Sequence, residues 1–125
     1  MPSDLPPLTA YDQLLTDGVL AFQRCAACGA AVFTPRTICP TCGSTELAWE
    51  PSAGLGTVYS ATTLHPRGRD PYAVVLVDLD EGFRMLSRIT VLPSDGALIG
   101  RRVRASLVEG DEGEIPLPCF AVEEA

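Results

Sequence analysis

Residues 25–29 read Cys-Ala-Ala-Cys-Gly and residues 39–43 read Cys-Pro-Thr-Cys-Gly, so one Cys-x-x-Cys-Gly unit occurs twice. Each unit is typical of a tight turn that directs both sulfurs to one side, and the final glycine supplies the positive φ that this turn needs. Two such turns facing each other present four thiolates, the tetrahedral set that structural zinc prefers. Four protein ligands leave no open coordination position, so the metal is expected to stabilise the fold. The predicted ligands are Cys25, Cys28, Cys39 and Cys42.

Two disulfides or a redox-active pair are the alternatives to a metal site. Disulfides require an oxidising compartment, and residues 1–4 (Met-Pro-Ser-Asp) lack the basic and then apolar layout of a signal peptide. A thioredoxin-type pair occurs once, at a strand-to-helix junction, and not twice with a following glycine. The doubled motif therefore favours zinc, although four thiolates also bind iron.

The composition indicates a small, turn-rich β protein. The chain has 125 residues, 46% of them hydrophobic, with 11 glycines and 11 prolines. No apolar run approaches the roughly 20 residues that a membrane-spanning helix needs, so we expect a cytoplasmic protein without membrane association.

The charge argues against nucleic acid as a partner. The formal net charge is -7, and all nine basic residues are arginines. An acidic chain is repelled by a phosphate backbone unless its basic residues are concentrated on one face. A local group such as Arg101, Arg102 and Arg104 could still hold a few phosphates of a nucleotide-like cofactor, meet an acidic partner surface, or only keep an edge strand soluble.

The first third of the chain predicts a short helix followed by the metal ribbon. The helix is expected over residues 10–16, with Thr9 as its N-cap and Gly18 at its end. Its apolar face either covers the second part of the chain or docks on another protein. Ribbon strands are expected at residues 19–24 and 30–34, with Phe33 packing over the metal loop.

Five strands are expected in the remainder, which indicates a barrel or a sandwich. Gly54 and Gly56 are expected to mark a bend or bulge at the start of the first of these strands. In the third strand, Phe83 and Met85 are expected to face inward, with Leu86 and Ile89 as further candidates. Five strands with a weak connector between the third and the fourth are arranged in the order expected of a small Greek-key OB barrel. The strands are predicted at residues 57–64, 72–79, 83–91, 101–109 and 119–122.

The sequence resembles the DUF35 family, in which a rubredoxin-like zinc ribbon precedes an OB-fold. The resemblance covers essentially the whole chain, with one departure at residues 52–56 (Ser-Ala-Gly-Leu-Gly), where the family more often has Ser-Gly-x-Gly. It implies a mainly β fold made of an N-terminal extension and helix (1–18), a zinc ribbon (19–50) and a five-stranded OB-fold barrel (51–125). The matching stretches are residues 22–29, 33–36, 39–43, 56–60 and 72–82.

The resemblance also implies a function in acyl-CoA metabolism, including that of lipids or steroids. Family members are accessory subunits of thiolases, thiolase-like aldolases or MaoC-like hydratases, and the partner carries the catalytic residues. The ribbon and helix are expected to dock on the partner, while the OB-fold part helps to form the site for coenzyme A or acyl-CoA. The family has no transferable catalytic motif, so no catalytic residue is assigned, and the chain is not expected to be an enzyme by itself.

Three residues in one predicted loop are candidate coenzyme A contacts. His65, Arg67 and Arg69 lie in a segment rich in proline and glycine, and two arginines flanking Gly68 could fork onto phosphates. Solvated loop charges are the alternative for the arginines, and a surface or capping role for the histidine. Cys119, in the last strand, is interpreted as a small buried hydrophobe because no base can be identified for it.

Two functions from other classes compete with the accessory role. A single-stranded nucleic-acid-binding OB module would need stacking aromatics and a basic groove, whereas the chain has only eight aromatic residues and an acidic balance. An independent hydrolase or redox enzyme using His65 or Cys119 would need a catalytic partner that the sequence does not identify.

Overall fold

The computed structural model describes residues 5–108 and 114–123. Within them lie helix α1 (Pro7–Thr16) and eight strands. The ribbon strands are β1 (Ala21–Cys25), β2 (Ala31–Val32) and β3 (Leu47–Pro51). The barrel strands are β4 (Leu55–Leu64), β5 (Tyr72–Leu79), β6 (Arg84–Ile89), β7 (Arg102–Val108) and β8 (Leu117–Val122). The predicted mainly β fold, with a helix, a ribbon and a five-stranded OB-fold barrel, is confirmed. Predictions for residues 1–4, 109–113 and 124–125 fall outside the described part.

Helix α1 begins earlier than the sequence indicated. Pro6 is the N-cap residue and Pro7 occupies the first helical turn, where a missing N–H costs nothing because that group has no intrahelical partner. The expectation that Thr9 caps the helix is therefore wrong, since Thr9 lies inside it. Leu14 and Leu15 are buried, and Leu15 belongs to the barrel core. The apolar face of the helix thus covers the barrel. No helix in the described ranges is long and apolar enough to cross a membrane.

The ribbon is a three-stranded antiparallel sheet in the order β2-β1-β3. Gln23 of the central strand lies opposite Val32 on one side and Trp49 on the other. The segment around Trp49 is therefore a third ribbon strand, in addition to the two that the sequence predicted.

The five remaining strands form a closed barrel in the order β4-β5-β6-β8-β7. Closure depends on a parallel contact between β6 and β8, whose only register pair is Ile89 with Phe120. Pro118 has no N–H with which to extend that ladder. Instead, the Ser87 hydroxyl donates a hydrogen bond to the Pro118 carbonyl oxygen at 2.7 Å. Closure also means that β7 hydrogen-bonds to both β4 and β8, so it is not an edge strand as considered above.

The barrel is filled by alternate residues of its strands. Along β5 the residues alternate between buried and half-buried, as expected for a strand with one side in a core. In β6, Met85 and Ile89 face inward as predicted, together with Phe83 just before the strand, whereas Leu86 faces outward and is 66% exposed. The largest fully buried side chains in the barrel are Val58, Val75, Val77, Ile89 and Val103.

An aromatic cluster joins the helix, the ribbon and the barrel. The ring of Phe83 stacks on Phe22 of the ribbon, with 4.8 Å between centroids, and lies 5.1 Å from Phe33. Phe33 in turn meets Tyr11 of α1 edge to face at 5.5 Å. The prediction that Phe33 packs over the metal loop is therefore wrong. It packs between the helix and the barrel, and a separate small cluster containing Val32 lies around the metal loop.

Candidate functional site

The four predicted metal ligands meet at one end of the ribbon. Their sulfur atoms all lie within 4.8 Å of one another. The distance is 3.6 Å between Cys25 Sγ and Cys42 Sγ, and 3.7 Å between Cys28 Sγ and Cys39 Sγ. Four sulfurs about 2.3 Å from a tetrahedral zinc ion are about 3.8 Å apart, whereas a disulfide bond is about 2.05 Å long. The spacing fits a metal ion, and all five cysteines of the chain are free thiols.

The local sequence builds the two turns in the same way. The N–H of Gly29 donates to the Cys25 carbonyl at 2.8 Å, and the N–H of Gly43 donates to the Cys39 carbonyl at 2.9 Å. The φ angles of these glycines are 79° and 81°. Neither glycine has an atom within 4 Å of the place of a Cβ, so backbone conformation and not space selects glycine here.

The electrostatics of the sulfurs favour a cation. The pKa of Cys39 is lowered to about 6, chiefly because the backbone N–H of Cys42 donates to its sulfur. The pKa of Cys25 is lowered in the same way by the N–H of Cys28. The pKa of Cys42 is nevertheless raised to about 12, since the lowering by the Ser44 N–H is outweighed by neighbouring sulfurs, Cys25 first, and by burial. The four groups resist ionising together, and a divalent ion removes that conflict. The chemistry of this donor set fits structural zinc.

Two side chains next to the metal site were not singled out by sequence reasoning. Gln23 is buried, and its amide donates to the Arg36 carbonyl at 2.8 Å and accepts from the Arg36 N–H at 2.7 Å. Arg24 donates to the Gly29 carbonyl at 3.0 Å and pairs with Glu50 at 3.4 Å. Gln23 lies two residues before the ligand Cys25, and this spacing places both side chains on the same face of β1. That spacing was the signal for Gln23 in the sequence.

The candidate coenzyme A contacts lie on the connection between β4 and β5. His65, Arg67 and Arg69 are all exposed there. Among the described residues, no carboxylate lies within 4.0 Å of either guanidinium group. The loop prediction is confirmed by the strand bounds, and the role of the three side chains stays a prediction.

The arginine group at residues 101–104 is engaged within the chain. Arg102 forms a bidentate pair with Asp80 at 2.8 and 2.7 Å, which lowers the pKa of that carboxyl group, chiefly through the hydrogen bond. Arg104 pairs with Glu123, and Arg101 lies 3.7 Å from a carboxylate oxygen of the preceding connector. These charges therefore stabilise contacts between barrel elements.

A cavity of about 510 Å³ opens in the barrel wall where β6 and β8 diverge. Cys119 lies in its wall, and the pKa of its thiol is raised, chiefly by burial, although Arg88 opposes the shift. A raised pKa leaves less of the nucleophilic thiolate, which agrees with the expectation that Cys119 is not a nucleophile. The residue is half-buried and not fully buried as interpreted from the sequence. Other residues around the cavity are Tyr11, Leu15, Phe33, Met85, Leu86 and Leu117.

A closed four-cysteine site on a three-stranded ribbon, joined to a closed five-stranded barrel, defines a zinc-ribbon and OB-fold protein. Two family models match in that order, the ChsH2 rubredoxin-like zinc ribbon domain over residues 12–48 and the ChsH2 C-terminal OB-fold domain over residues 49–108. The chain belongs to the DUF35 family. A DUF35 domain-containing scaffold protein of Methanocaldococcus jannaschii is 32% identical over 102 residues, which are 74% of this chain and 72% of that protein. A scaffold protein of the same description from Methanothermobacter thermautotrophicus is 31% identical over 106 residues, which are 77% of this chain and 80% of that protein.

Two further comparisons concern acyl-CoA enzymes and assemblies. A probable enoyl-CoA hydratase alpha subunit of Thermomonospora curvata is 38% identical over 105 residues. The match covers 81% of this chain but 33% of that protein, so the chain spans about a third of the length of this relative. A chain of a solved structure described as "Ltp2-ChsH2(DUF35) aldolase" is 32% identical, with a TM-score of 0.80 and coverage of 98% of both chains.

Proposed function

We propose that this chain is a non-catalytic accessory subunit that binds a thiolase-like enzyme and helps to form its acyl-CoA site. The observation that carries this proposal is the likeness over 98% of both chains to a component of the Ltp2-ChsH2(DUF35) aldolase. Two relatives described as scaffold proteins and one described as a hydratase subunit support the same role. A thiolase-like partner follows from the family resemblance, with a MaoC-like hydratase as the second candidate partner.

The chemistry of the site supports an accessory role. All four ligands of the metal come from the protein, so the ion supplies folding energy and has no position for substrate. Partial burial raises the pKa of the Cys119 thiol, which disfavours the nucleophilic thiolate. Within the described residues, His65 makes no side-chain hydrogen bond to an acid or a base. We therefore assign the catalytic groups to the partner.

Turnover of the partner enzyme tests the accessory role. A thiolase-like candidate partner is assayed with its acyl-CoA substrate while this chain is titrated in. We expect activity to rise with this chain and to saturate at a fixed molar ratio, because the site is completed by binding. Activity that is independent of this chain at saturating concentration would contradict the proposal.

Contact with coenzyme A is the finer part of the proposal. Arg67 and Arg69 are exposed guanidinium groups on one loop of an acidic chain, where they could hold phosphates in the bidentate way that arginine favours. In the complex, the double variant Arg67→Ala/Arg69→Ala is expected to raise the KM for acyl-CoA about 10-fold or more, since charged hydrogen bonds contribute about 1.5–3 kcal/mol each. Binding to the partner and kcat should be retained.

A matched control removes an exposed arginine elsewhere. Arg36 lies on the ribbon and is also exposed. Arg36→Ala should leave the KM unchanged, whereas His65→Ala should raise it if the histidine contacts the same ligand. An unchanged KM in the double variant would remove the loop from the coenzyme A site without affecting the accessory role.

A further inference from the structure

The outer side of the barrel carries apolar side chains on two neighbouring strands, β5 and β6. A closed barrel needs apolar side chains only on its inner side, where Ala73, Val75 and Val77 of β5 are buried. On the opposite side of β5 lie Val74 and Leu76, which are apolar as well. Nothing in the described barrel covers these side chains completely, since both are half-buried.

Strand register brings these residues together with neighbours from β4 and β6. Leu76 lies directly opposite Leu86, and Val74 lies directly opposite Arg88. Tyr59, at the β-bulge of β4, is 53% exposed, and Leu86 is 66% exposed. Directly opposed side chains on one face of a sheet lie about 4.5–5.5 Å apart at Cβ, so the β5 and β6 residues form one continuous surface. On the β4 side they lie opposite Ser60 and Thr62, and Tyr59 joins the surface through its contact with Arg84. We call Tyr59, Val74, Leu76, Leu86 and Arg88 the outer face.

Arginine–tyrosine pairs hold the edges of the outer face in place. The guanidinium carbon of Arg84 lies 3.6 Å from the centre of the Tyr59 ring, and the same arginine pairs with Asp78 at 2.6 and 3.3 Å. Arg88 lies 5.4 Å from the centre of the Tyr72 ring. Tyrosine and arginine are enriched among the residues that dominate protein–protein binding energy. Side chains that are already ordered lose less entropy on binding.

We propose that the outer face is the docking surface for a different protein, whose contact region is apolar at its centre and acidic at its edge. This inference rests on the proposed function and names where the thiolase-like partner sits. Leu76 and Leu86 meet the apolar centre, and Arg88 meets a carboxylate. Because β5 is paired with β4 on one side and with β6 on the other, docking on it uses side chains and not strand addition.

The charge of the outer face indicates which kind of partner binds there. Asp78 takes up the charge of Arg84, whereas Arg88 has no carboxylate within 4.0 Å among residues 5–108 and 114–123. The outer face therefore carries positive charge on a chain whose formal net charge is -7. A second copy would bring two equal positive faces and two acidic chains together, and a nucleic acid or an anionic membrane would be repelled by the net charge. A partner with an acidic contact region fits.

An exposed apolar patch on the ribbon side is the main competitor. Leu8 is 63% exposed and Ile38 is 53% exposed, beside a shallow cavity that Arg36 also lines. This patch is the surface expected to dock if the ribbon and helix made the contact. It has no tyrosine and no stacked arginine, and it is formed by the beginning of a helix and a loop instead of paired strands. The outer face is therefore the better preorganised of the two.

Dissociation constants for the thiolase-like partner, measured by titration calorimetry, separate the two surfaces. Leu86→Glu is expected to raise the Kd about 30-fold or more, since it places a charge at the centre of the contact. Arg88→Glu is expected to raise it about 10-fold and to change its salt dependence. Ile38→Glu, which adds the same charge at a similarly exposed aliphatic residue, should change the Kd by about 2-fold or less.

Folding and self-association are measured on the same variants. Leu86 is mostly exposed, so Leu86→Glu should retain the thermal unfolding curve of the wild type. If it does not, the uncharged variant Leu86→Gln takes its place, with the same direction of effect. If the Leu86 variants bind the partner as tightly as the wild type and Ile38→Glu does not bind, the outer face is not the docking surface. The accessory role would remain intact. A wild-type homodimer that Leu86→Glu dissociates would overturn the choice of occupant. No wild-type binding would overturn both proposals.

Discussion

Gly56 lies where β4 and β5 approach too closely for a side chain. A Cβ there would lie 2.6 Å from the Asp78 carbonyl oxygen and 2.8 Å from a Val77 methyl carbon. The register shift expected at this glycine lies instead between Val58 and Ser60, so close approach of the strands explains Gly56. We predict that Gly56→Ala lowers the free energy of unfolding by about 3 kcal/mol, measured by denaturant titration, because backbone and core must both shift.

A second glycine separates steric from conformational cost. Gly68 has φ of 73° with nothing within 4 Å of a Cβ position, so Gly68→Ala should cost only the roughly 1–2 kcal/mol of a left-handed alanine. Equal costs for the two substitutions would contradict the steric account of Gly56.

Gln23 contributes to stability through the loop that precedes the second cysteine pair. Gln23→Leu removes both hydrogen bonds to the Arg36 backbone, and a typical hydrogen bond contributes about 1 kcal/mol to stability. We predict a loss of about 2 kcal/mol in unfolding free energy at constant metal content. Gln13→Leu, the same change at an exposed helix position, should stay within about 0.5 kcal/mol. If Gln23→Leu and Gln13→Leu were equally stable, the hydrogen bonds between the Gln23 amide and the Arg36 backbone would not be stabilising.

For single residues, the sequence was informative where the spacing of residues along the chain alone determines the local backbone geometry. The four cysteines and their glycines are specified by a local turn, so they could be found without a structure. The contacts of Phe33 depend on which elements pack together, and no local pattern carries that information. For Gln23 the spacing of two from Cys25 indicates the face of β1, but not the loop that its amide binds. Leu86 shows the same limit, because only the register of β6 decides which of two adjacent apolar residues faces inward.

Among the elements, the ribbon depends on its metal more than the barrel does. Its own buried cluster consists of Cys25, Val32 and Cys39, whereas the barrel has a separate core. We predict that removal of the metal by a chelator, or Cys42→Ser, abolishes hydrogen-exchange protection in β1 to β3 while β4 to β8 keep most of theirs. Metal analysis should give one equivalent per chain.

The fifth cysteine provides the control for this prediction. Cys119→Ser lies outside the metal site and should retain one equivalent of metal with an intact ribbon. Loss of metal in this variant, or full protection of the ribbon after chelation, would contradict a structural zinc site at the four paired cysteines.

Element boundaries were predicted best where both ends carry a turn signal. Strand β5 was predicted at its observed bounds, because a β-branched apolar run lies between Pro71 and an acidic turn that ends in Gly82. Strand β6 is shorter than predicted, and β8 begins two residues earlier. The parallel closure of β6 on β8 is a long-range contact, so periodicity left barrel and sandwich open, and the family resemblance supplied the OB-fold.

For the molecule as a whole, charge and surface point in the same direction. Five of the nine arginines form ion pairs within the described chain, so little of its positive charge is left to form a basic groove. What remains exposed is the apolar outer face proposed above and the loop that carries Arg67 and Arg69. Both features suit a subunit that completes another protein, and neither supplies a catalytic group.

The central claim is that this chain acts as a subunit, and the mass of the complex tests it most directly. The chain is co-expressed with a thiolase-like candidate partner, and the mixture is analysed by size-exclusion chromatography with light scattering. We predict one species that contains both chains at a fixed ratio and one zinc ion per copy of this chain. Two separate peaks, with each protein at its own mass over micromolar concentrations, would contradict the account.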